Sequence, residues 1–287
     1  MMENSYIANV LLMSSSVMVV SAVLTFLGLS FFAAPYGKYS SSKGWGPLVQ
    51  AQLAWCFMEI PNLWVAALVY VFRSYTSEQA ISSNVNKVAL VCFLLHYVNR
   101  SIIYPFRMRS SQCTPMPISV MVAAFVFCAW NGLNQSVSLI LIDKSSASVT
   151  DLQSLAGVLI FLTGFYINVT SDSILINTKK SAHNGDTKSA KYVIPTGGMF
   201  KYVSCANYCK FAHPECTKCI VMFRSCTDQY VCMYLYSIVG EIVEWWGFAL
   251  LCGTYTGFSF ALYSTAYLSS RAIHVRMCLK VYGLVFR

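Results

Sequence analysis

Long runs of uncharged residues, separated by short polar segments, dominate the hydropathy pattern of this chain. Residues 6–34 and 115–142 carry no charged side chain, while residues 48–72 and 152–177 carry one acidic residue each. A helix of about 20 apolar residues crosses the hydrocarbon core of a bilayer, so each of these runs is long enough to do so. The pattern predicts membrane-spanning helices at residues 7–33, 48–72, 116–142 and 152–176. For the whole chain we expect one bundle of about seven, with the further helices at 85–104, 240–254 and 257–274.

The composition also indicates a membrane protein. Hydrophobic residues make up 56% of the 287 residues and charged residues 11%, and the mean hydropathy is +0.56. Soluble domains contain about 25% charged residues, so a soluble protein is excluded and an all-α integral membrane protein is predicted. The first apolar run follows no basic segment and is longer than the apolar core of a signal peptide. We therefore expect it to remain as an anchor.

Lysine and arginine are unevenly distributed among the segments between the predicted helices. Segments 35–47, 100–114 and 178–201 hold ten of them, whereas the N-terminal tail and segments 73–87 and 143–151 hold three. By the positive-inside rule, the first set faces the cytosol and the N-terminus lies on the lumenal side. These loops explain the net charge of +9 without a nucleic-acid partner. The five lysines of segment 178–201 are also suited to a phosphorylated cofactor.

Cysteine is abundant, with twelve in the chain. Most lie in apolar segments, where cysteine behaves as a small buried hydrophobe, so reduced thiols are expected. Five cluster between Cys209 and Cys232, and with His213 they give the spacing H-x2-C-x2-C-x6-C. That spacing loosely resembles a zinc site, but no pair of C-x2-C units accompanies it. No metal site is predicted.

Two polar residues stand out in the second and third predicted helices. Glu59 lies about halfway along its run, next to Pro61, whose missing N–H frees backbone groups and lets a polar pocket form between helices. A carboxylate inside the membrane indicates a functional site by default, and a hydrogen-bonded structural role is the alternative. Tyr97 lies beside a basic loop, where an aromatic anchor at the membrane surface is the expectation from the residue alone.

Two pairs of polar residues that include carboxylates occur in the later apolar segments. Asn168 and Asp172 are four residues apart and share one helical face, so they can present two acceptors to one ligand. Glu241 and Glu244 repeat that arrangement at a spacing of three. At the start of the predicted helix 240–254, the helix dipole would stabilise them. No Gly-x-Gly-x-x-Gly follows a predicted strand, so a Rossmann cofactor site is not expected.

A series of short sequence strings shows that the chain resembles a known protein family. In order, they are Ala-Pro-Tyr-Gly-Lys at 34–38, Gly-Trp-Gly-Pro at 44–47, Ala-Trp-Cys-Phe-Met-Glu-Ile-Pro at 54–61, His-Tyr-Val-Asn-Arg-Ser-Ile-Ile-Tyr-Pro-Phe-Arg at 96–107, Asn-Gly at 131–132, Gly-Phe-Tyr-Ile-Asn-Val-Thr-Ser-Asp at 164–172, Tyr-Val-Ile-Pro-Thr-Gly-Gly-Met-Phe at 192–200, Tyr-Val-Ser-Cys-Ala-Asn-Tyr at 202–208 and Gly-Glu-Ile-Val-Glu-Trp-Trp-Gly at 240–247. With these strings the chain resembles the steroid 5α-reductases, and most closely the plant type.

The resemblance implies a seven-helix endoplasmic reticulum enzyme that uses NADPH to reduce the 4,5 double bond of a 3-oxo-Δ4 steroid. Tyr97 and Glu59 would bind the steroid 3-oxo group. The residues that would line a cofactor site on the cytosolic side are Asn168, Asp172, Lys179, Tyr192, Asn207, Glu241 and Arg271. The expected partners are the steroid and membrane lipid, with neither nucleic acid nor an obligatory protein partner. The plant-like strings favour a brassinosteroid precursor over an androgen.

The chain departs from the family in two places. Residues 209–239 stand where family members have a single apolar residue, and the tail 275–287 does not match the family. Cys-Lys-Phe at 209–211 can be encoded by TGT-AAG-TTT, which contains a splice-donor sequence, so a retained intron is one hypothesis. The predicted division is therefore membrane helices with cytosolic loops at 1–208, a Cys-rich insertion at 209–239, the last helices at 240–274 and an unrelated tail at 275–287. We expect this exact chain to be weak or inactive.

Two other functions stay open at this point. A trans-2-enoyl-CoA reductase of fatty-acid elongation shares the C-terminal half of the architecture and the NADPH chemistry, although it would not explain the strings at 34–38 and 54–61. A non-catalytic membrane scaffold would be consistent with an interrupted cofactor site. Cofactor binding distinguishes the scaffold from an enzyme, and the accepted substrate distinguishes the two enzymes.

Overall fold

The computed structural model describes residues 2–31, 44–76, 81, 83–108, 114–142, 148–184 and 227–281, and these residues are almost entirely helical. The helices are α1 (Met2–Phe31), α2 (Ala51–Glu59), α3 (Pro61–Thr76), α4 (Asn84–Val98), α5 (Tyr104–Arg107), α6 (Ile118–Ser136), α7 (Leu152–Asn184), α8 (Thr227–Cys252) and α9 (Tyr255–Val281), with two π-helical turns, π1 (Asn99–Ile103) and π2 (Val137–Leu141). Two short antiparallel strands, β1 (Leu48–Val49) and β2 (Met116–Pro117), pair just ahead of α2 and α6.

Among the residues that the structure describes, five stretches are long and apolar enough to cross a membrane. They are Ser5–Phe31, Ala51–Thr76, Asn84–Arg107, Ile118–Leu141 and Leu152–Ile174. They correspond to the first five predicted helices, so a mostly helical structure with helices apolar enough to span a membrane is confirmed. Helices α8 and α9 extend beyond the last two predicted spans, since α8 begins at Thr227 and α9 continues to Val281. The count of seven membrane-spanning helices stays a prediction.

The second predicted helix is broken at the proline. α2 ends at Glu59, and α3 begins at Pro61, which has no N–H to donate into the preceding turn. The side chain of Asn62 satisfies a backbone carbonyl at this break, since its Nδ2 donates to that of Glu59 at 3.4 Å. A buried polar side chain, with Asn62 0% exposed, is therefore anchored in the middle of the membrane segment.

A proline also explains π1. Pro105 has no N–H and its ring clashes with the carbonyl four residues earlier, which disfavours a regular α-helical turn. The chain widens instead, and the N–H of Tyr104 donates to the carbonyl of Asn99, five residues before it. Helix α4 thus continues through π1 into α5, and Arg100 lies inside the helix.

Helices α7 and α8 pack with their backbones in contact through glycines on both sides. A Cβ added at Gly164 would lie 2.6 Å from the Cα of Glu244, and one added at Gly240 would lie 2.8 Å from the backbone nitrogen of Asn168. Small residues permit this approach in membrane bundles, where close van der Waals contact drives helix association. The close contact brings the polar residues of α7 against those of α8.

The bundle has an apolar exterior and an interior that mixes aromatic and polar groups. Leu24 and Leu159 are 64% and 66% exposed on outer faces, as expected for lipid contact. Phe93, Phe161 and Trp245 fill the core. Cys56, Cys92 and Cys128 are free thiols.

Candidate functional site

A buried charged cluster joins α7 and α8 to the helical segment that contains π1. The guanidinium of Arg100 donates to Asp172 at 3.0 Å and to Glu241 at 3.4 Å. Arg100 is 8% exposed, and its guanidinium lies 5.0 Å and 5.1 Å from the ring centroids of Trp55 and Tyr104. Because one guanidinium faces two carboxylates, these three groups carry an excess acceptor capacity that a ligand with hydroxyl or amide donors can use.

A second buried pair lies next to this cluster. Nδ1 of His96 is 2.7 Å from Oε1 of Glu244, and Nδ2 of Asn168 donates to Oε2 of Glu244 at 3.4 Å. The hydroxyl of Ser237 is 3.3 Å from Oδ1 of Asn168 and 3.2 Å from Oδ1 of Asp172. Asn168 and Asp172 therefore share one helical face, as their spacing predicted, and the structure adds Ser237 as a common polar neighbour.

The interpretation of Tyr97 as an anchor at the membrane surface was wrong. Its side chain is 3% exposed and packs between Phe93 and His96, with ring centroids 4.7 Å and 5.0 Å away. Its hydroxyl oxygen accepts a hydrogen bond from Nδ2 of Asn131 at 3.1 Å. In the described part of the chain, no acceptor lies within hydrogen-bonding distance of the Tyr97 hydroxyl, so its hydrogen is available to a ligand.

Glu59 lies on the far side of the same polar group. Its Oε2 accepts a hydrogen bond from the thiol of Cys128 at 3.7 Å. Between the described side chains of Glu59 and Tyr97 there is no direct hydrogen bond. Asn131 and Asn62, which are 3.2 Å apart, connect the Tyr97 hydroxyl to the backbone carbonyl of Glu59. The tyrosine and the glutamate thus belong to one network, in which asparagines are the intermediate groups.

The structure describes only some of the other residues that were predicted to line a cofactor site. Lys179 lies in α7, but its side chain is not among those described, and Tyr192 and Asn207 lie outside the described residues. Arg271 is half-buried on α9, with its guanidinium 5.8 Å from the ring centroid of Tyr267. Within the described ranges, no group of three or more potential metal ligands is present, and the predicted Cys-rich insertion falls mostly outside them.

Several polar residues of the site were not found by sequence reasoning. Arg100 was counted as a loop charge, although its spacing of three from Tyr97 places both on neighbouring positions of a helix. His96 pairs with a residue 148 positions away, and nothing in the local sequence indicates that contact. The helix-dipole explanation for Glu241 and Glu244 is wrong, because α8 begins at Thr227 and both residues lie well inside it.

Comparison with known proteins agrees with the resemblance found in the sequence. The family model described as 3-oxo-5-alpha-steroid 4-dehydrogenase matches residues 114–223. The chain is 34% identical over 260 residues to the steroid 5-alpha-reductase DET2 of Gossypium hirsutum, covering 89% of this chain and 84% of the relative. It is 33% identical to DET2 of Arabidopsis thaliana, covering 85% and 79% of the two chains. It is 31% identical to 3-oxo-5-alpha-steroid 4-dehydrogenase 1 of Bos taurus, covering 87% and 82%.

Proposed function

Because this chain belongs to the steroid 5α-reductase family, we propose that it reduces the 4,5 double bond of a 3-oxo-Δ4 steroid with NADPH as the reductant. The observation that carries the proposal is the Tyr97 hydroxyl, which is buried, accepts from Asn131 and has its own hydrogen available. One helical turn further along, the Arg100 cluster supplies charged groups for a polar ligand. A steroid carbonyl and a cofactor would then meet at adjacent turns of one helix.

The chemistry requires a hydrogen-bond donor at this place. Hydride addition at C5 of a conjugated enone moves negative charge onto the 3-oxo oxygen, so a donor aimed at that oxygen stabilises the transition state more than the ground state. Tyr97 is the donor in this proposal. Glu59 would bind the same carbonyl, as the resemblance to the family implies; Asn62, which connects the two residues, contacts the backbone carbonyl of Glu59 and not its carboxylate. The low polarity of the surrounding helices strengthens both effects.

The donor and acceptor groups present are compatible with NADPH. Asn168, Asp172 and Glu241 offer amide and carboxylate groups that suit ribose hydroxyls and a carboxamide, and their carboxylates outnumber the guanidinium that neutralises them. Lys179 would hold a phosphate as a point charge. When bound, the nicotinamide supplies the hydride. We place the cofactor side toward the cytosol of an endoplasmic reticulum membrane, with the N-terminus lumenal, on the distribution of basic residues.

The contacts of Ser237 bear on the predicted insertion. Ser237 stands three residues ahead of Gly240 in α8 and touches Asn168 and Asp172. If a single residue replaced 209–239, Asn207 would stand three residues ahead of Gly240 in the same helical register. The serine hydroxyl in this chain therefore takes the place that the proposed cofactor residue Asn207 would take in an uninterrupted chain. This substitution supports the proposal that the chain as given is weak or inactive.

The test compares three chains in microsomes supplied with NADPH and a 3-oxo-Δ4 steroid such as a campestenone, with the 5α-reduced product followed by mass spectrometry. The first is the chain as given. The second carries Ser237→Asn, and the third has 209–239 replaced by one Phe together with a family-like C-terminal tail. We expect product from the third chain at a rate well above that of the first, and tighter NADPH binding by the second than by the first.

Each other outcome has a defined meaning. Full turnover by the first chain would refute the predicted impairment and leave the reaction established. Absence of product from all three chains would refute the proposed reaction. The same membranes would then be supplied with a trans-2-enoyl thioester, whose reduction would identify a fatty-acid elongation enzyme. If none of the three chains binds NADPH, the non-catalytic membrane scaffold remains as the candidate function.

A further inference from the structure

We propose that a chain of buried amide groups from Gln135 through Asn131 forces Tyr97 to act as a hydrogen-bond donor toward a ligand carbonyl. The inference deepens the proposed function and rests on it, because it assigns positioning roles to two residues that support Tyr97 in that reaction. A phenol can donate or accept, and only the donating state stabilises the 3-oxo oxygen. In this structure, hydrogen bonds among buried amides determine whether the Tyr97 hydroxyl donates or accepts.

The polarity of the chain begins at a backbone carbonyl. Nε2 of Gln135 lies 3.2 Å from the carbonyl oxygen of Thr256 in the first turn of α9, and a carbonyl can only accept. The amide of Gln135 must therefore turn its NH2 group toward Thr256. The same NH2 group is 3.3 Å from Oδ1 of Asn131, to which it donates its second hydrogen.

Asn131 passes this polarity to the tyrosine. Because its oxygen accepts from Gln135, its NH2 group faces the other way and donates to the Tyr97 oxygen at 3.1 Å and to Oδ1 of Asn62 at 3.2 Å. The far end is fixed as well, since Nδ2 of Asn62 donates to the backbone carbonyl of Glu59 at 3.4 Å. Two backbone carbonyls, one at each end, thus impose the same orientation on all three amides.

Burial makes this orientation permanent. Asn131 and Asn62 are 0% exposed and Gln135 is 1% exposed, so water does not compete for their donors and acceptors. An inverted amide would place two oxygens or two NH2 groups face to face in a membrane interior, which is costly. The Tyr97 oxygen therefore always receives an N–H from Asn131. Its own hydrogen must be directed to another acceptor, which in this proposal is the steroid 3-oxo oxygen.

The test reads the hydrogen bond on the ligand itself. The full chain is reconstituted in lipid nanodiscs and given a 3-oxo-Δ4 steroid carrying 13C at C3, and the 13C=O stretch is measured by isotope-edited infrared spectroscopy beside the dissociation constant. Asn131→Asp offers the phenol an acceptor, so the Tyr97 hydrogen is drawn away from the ligand. We expect the stretch to rise to the value found with Tyr97→Phe and the affinity to fall about 2- to 10-fold.

Controls separate this role from a general structural one. Asn134→Asp makes the same substitution one turn further along α6, at a side chain that is 3% exposed, and should leave the stretch unchanged. If Asn131 acts through Tyr97, then Asn131→Asp in a Tyr97→Phe background changes neither stretch nor affinity further. Gln135→Met, which removes the donor without adding charge, should raise the stretch part of the way and covers the case in which Asn131→Asp does not fold.

The outcomes distinguish the two proposals. An unchanged stretch in both Asn131→Asp and Gln135→Met, or effects of Asn131→Asp that add fully to those of Tyr97→Phe, would overturn the amide-chain inference while steroid binding upheld the proposed function. Failure of the unmodified chain to bind any 3-oxo-Δ4 steroid would overturn both.

Discussion

Replacing Arg100 by methionine should destabilise the bundle by about 3–5 kcal/mol. Methionine keeps most of the side-chain volume but leaves Asp172 and Glu241 without a cation in a buried place, and breaking one partner of a buried ion pair costs that much. The two hydrogen bonds that Arg100 makes in the structure add up to a free energy of the same size. The bond to Asp172 at 3.0 Å is charge-assisted and contributes about 1.5–3 kcal/mol. The bond to Glu241 is longer, at 3.4 Å, and that side chain is 18% exposed, so it contributes at the lower end.

The assay is thermal unfolding of the full chain in nanodiscs, followed by tryptophan fluorescence, with a shift on the order of 10 °C expected. Arg100→Lys is the matched control. It keeps the charge but cannot reach both carboxylates with one planar group, so a loss of about 1–3 kcal/mol is expected. Adding Asp172→Asn to Arg100→Met should recover stability, because it removes an unpaired buried charge. A loss below about 1 kcal/mol for Arg100→Met would refute the buried cluster.

Two further predictions test the packing. Gly247→Ala should destabilise the contact between α7 and α8 by about 3 kcal/mol or more, because its Cβ would enter the backbone of Phe161, whereas Gly28→Ala meets nothing within 4 Å and should be neutral or slightly stabilising in the same thermal assay. Asn86→Leu should cost about 2–4 kcal/mol, since Asn86 donates to two backbone carbonyls at the end of π2, at 3.1 Å and 3.0 Å. The exposed Asn84→Leu should change the unfolding temperature little, and equal effects of the two leucine variants would contradict this account.

The sequence was sufficient for the membrane architecture because the bilayer imposes a strong and local requirement. A predominantly apolar run of about 20 residues has few alternatives to a membrane helix, so the first five predicted helices and the described ones agree closely. The break at Pro61 was also predictable, since proline acts on its own turn. The start of α8 was not, because the run from Thr227 contains polar residues and was assigned to an insertion.

The site was predictable only where its spacing was local. Asn168 and Asp172 share a face because four residues make about one helical turn. The bond from Arg100 to Asp172 and the amide chain from Gln135 to Tyr97 depend on which helices meet, and no single-sequence pattern contains that information. Asparagine and glutamine in apolar runs were the available signal, since polar side chains in membrane helices face the protein interior.

The π turn at Asn99–Ile103 also has a consequence for how this helix divides its contacts. A π turn holds one residue more than the α-helical turn it replaces, so it acts as a one-residue insertion that rotates everything beyond it by about 100°. Before the turn, Tyr97 faces Asn131 of α6, and after it, Arg107 donates to Ser173 of α7 at 2.8 Å. Deleting one residue of the turn would rotate the segment beyond it back by about the same angle and misalign these two contacts. In an alignment of homologous sequences, a gap at this position would identify chains in which this helix makes different contacts with α6 and α7.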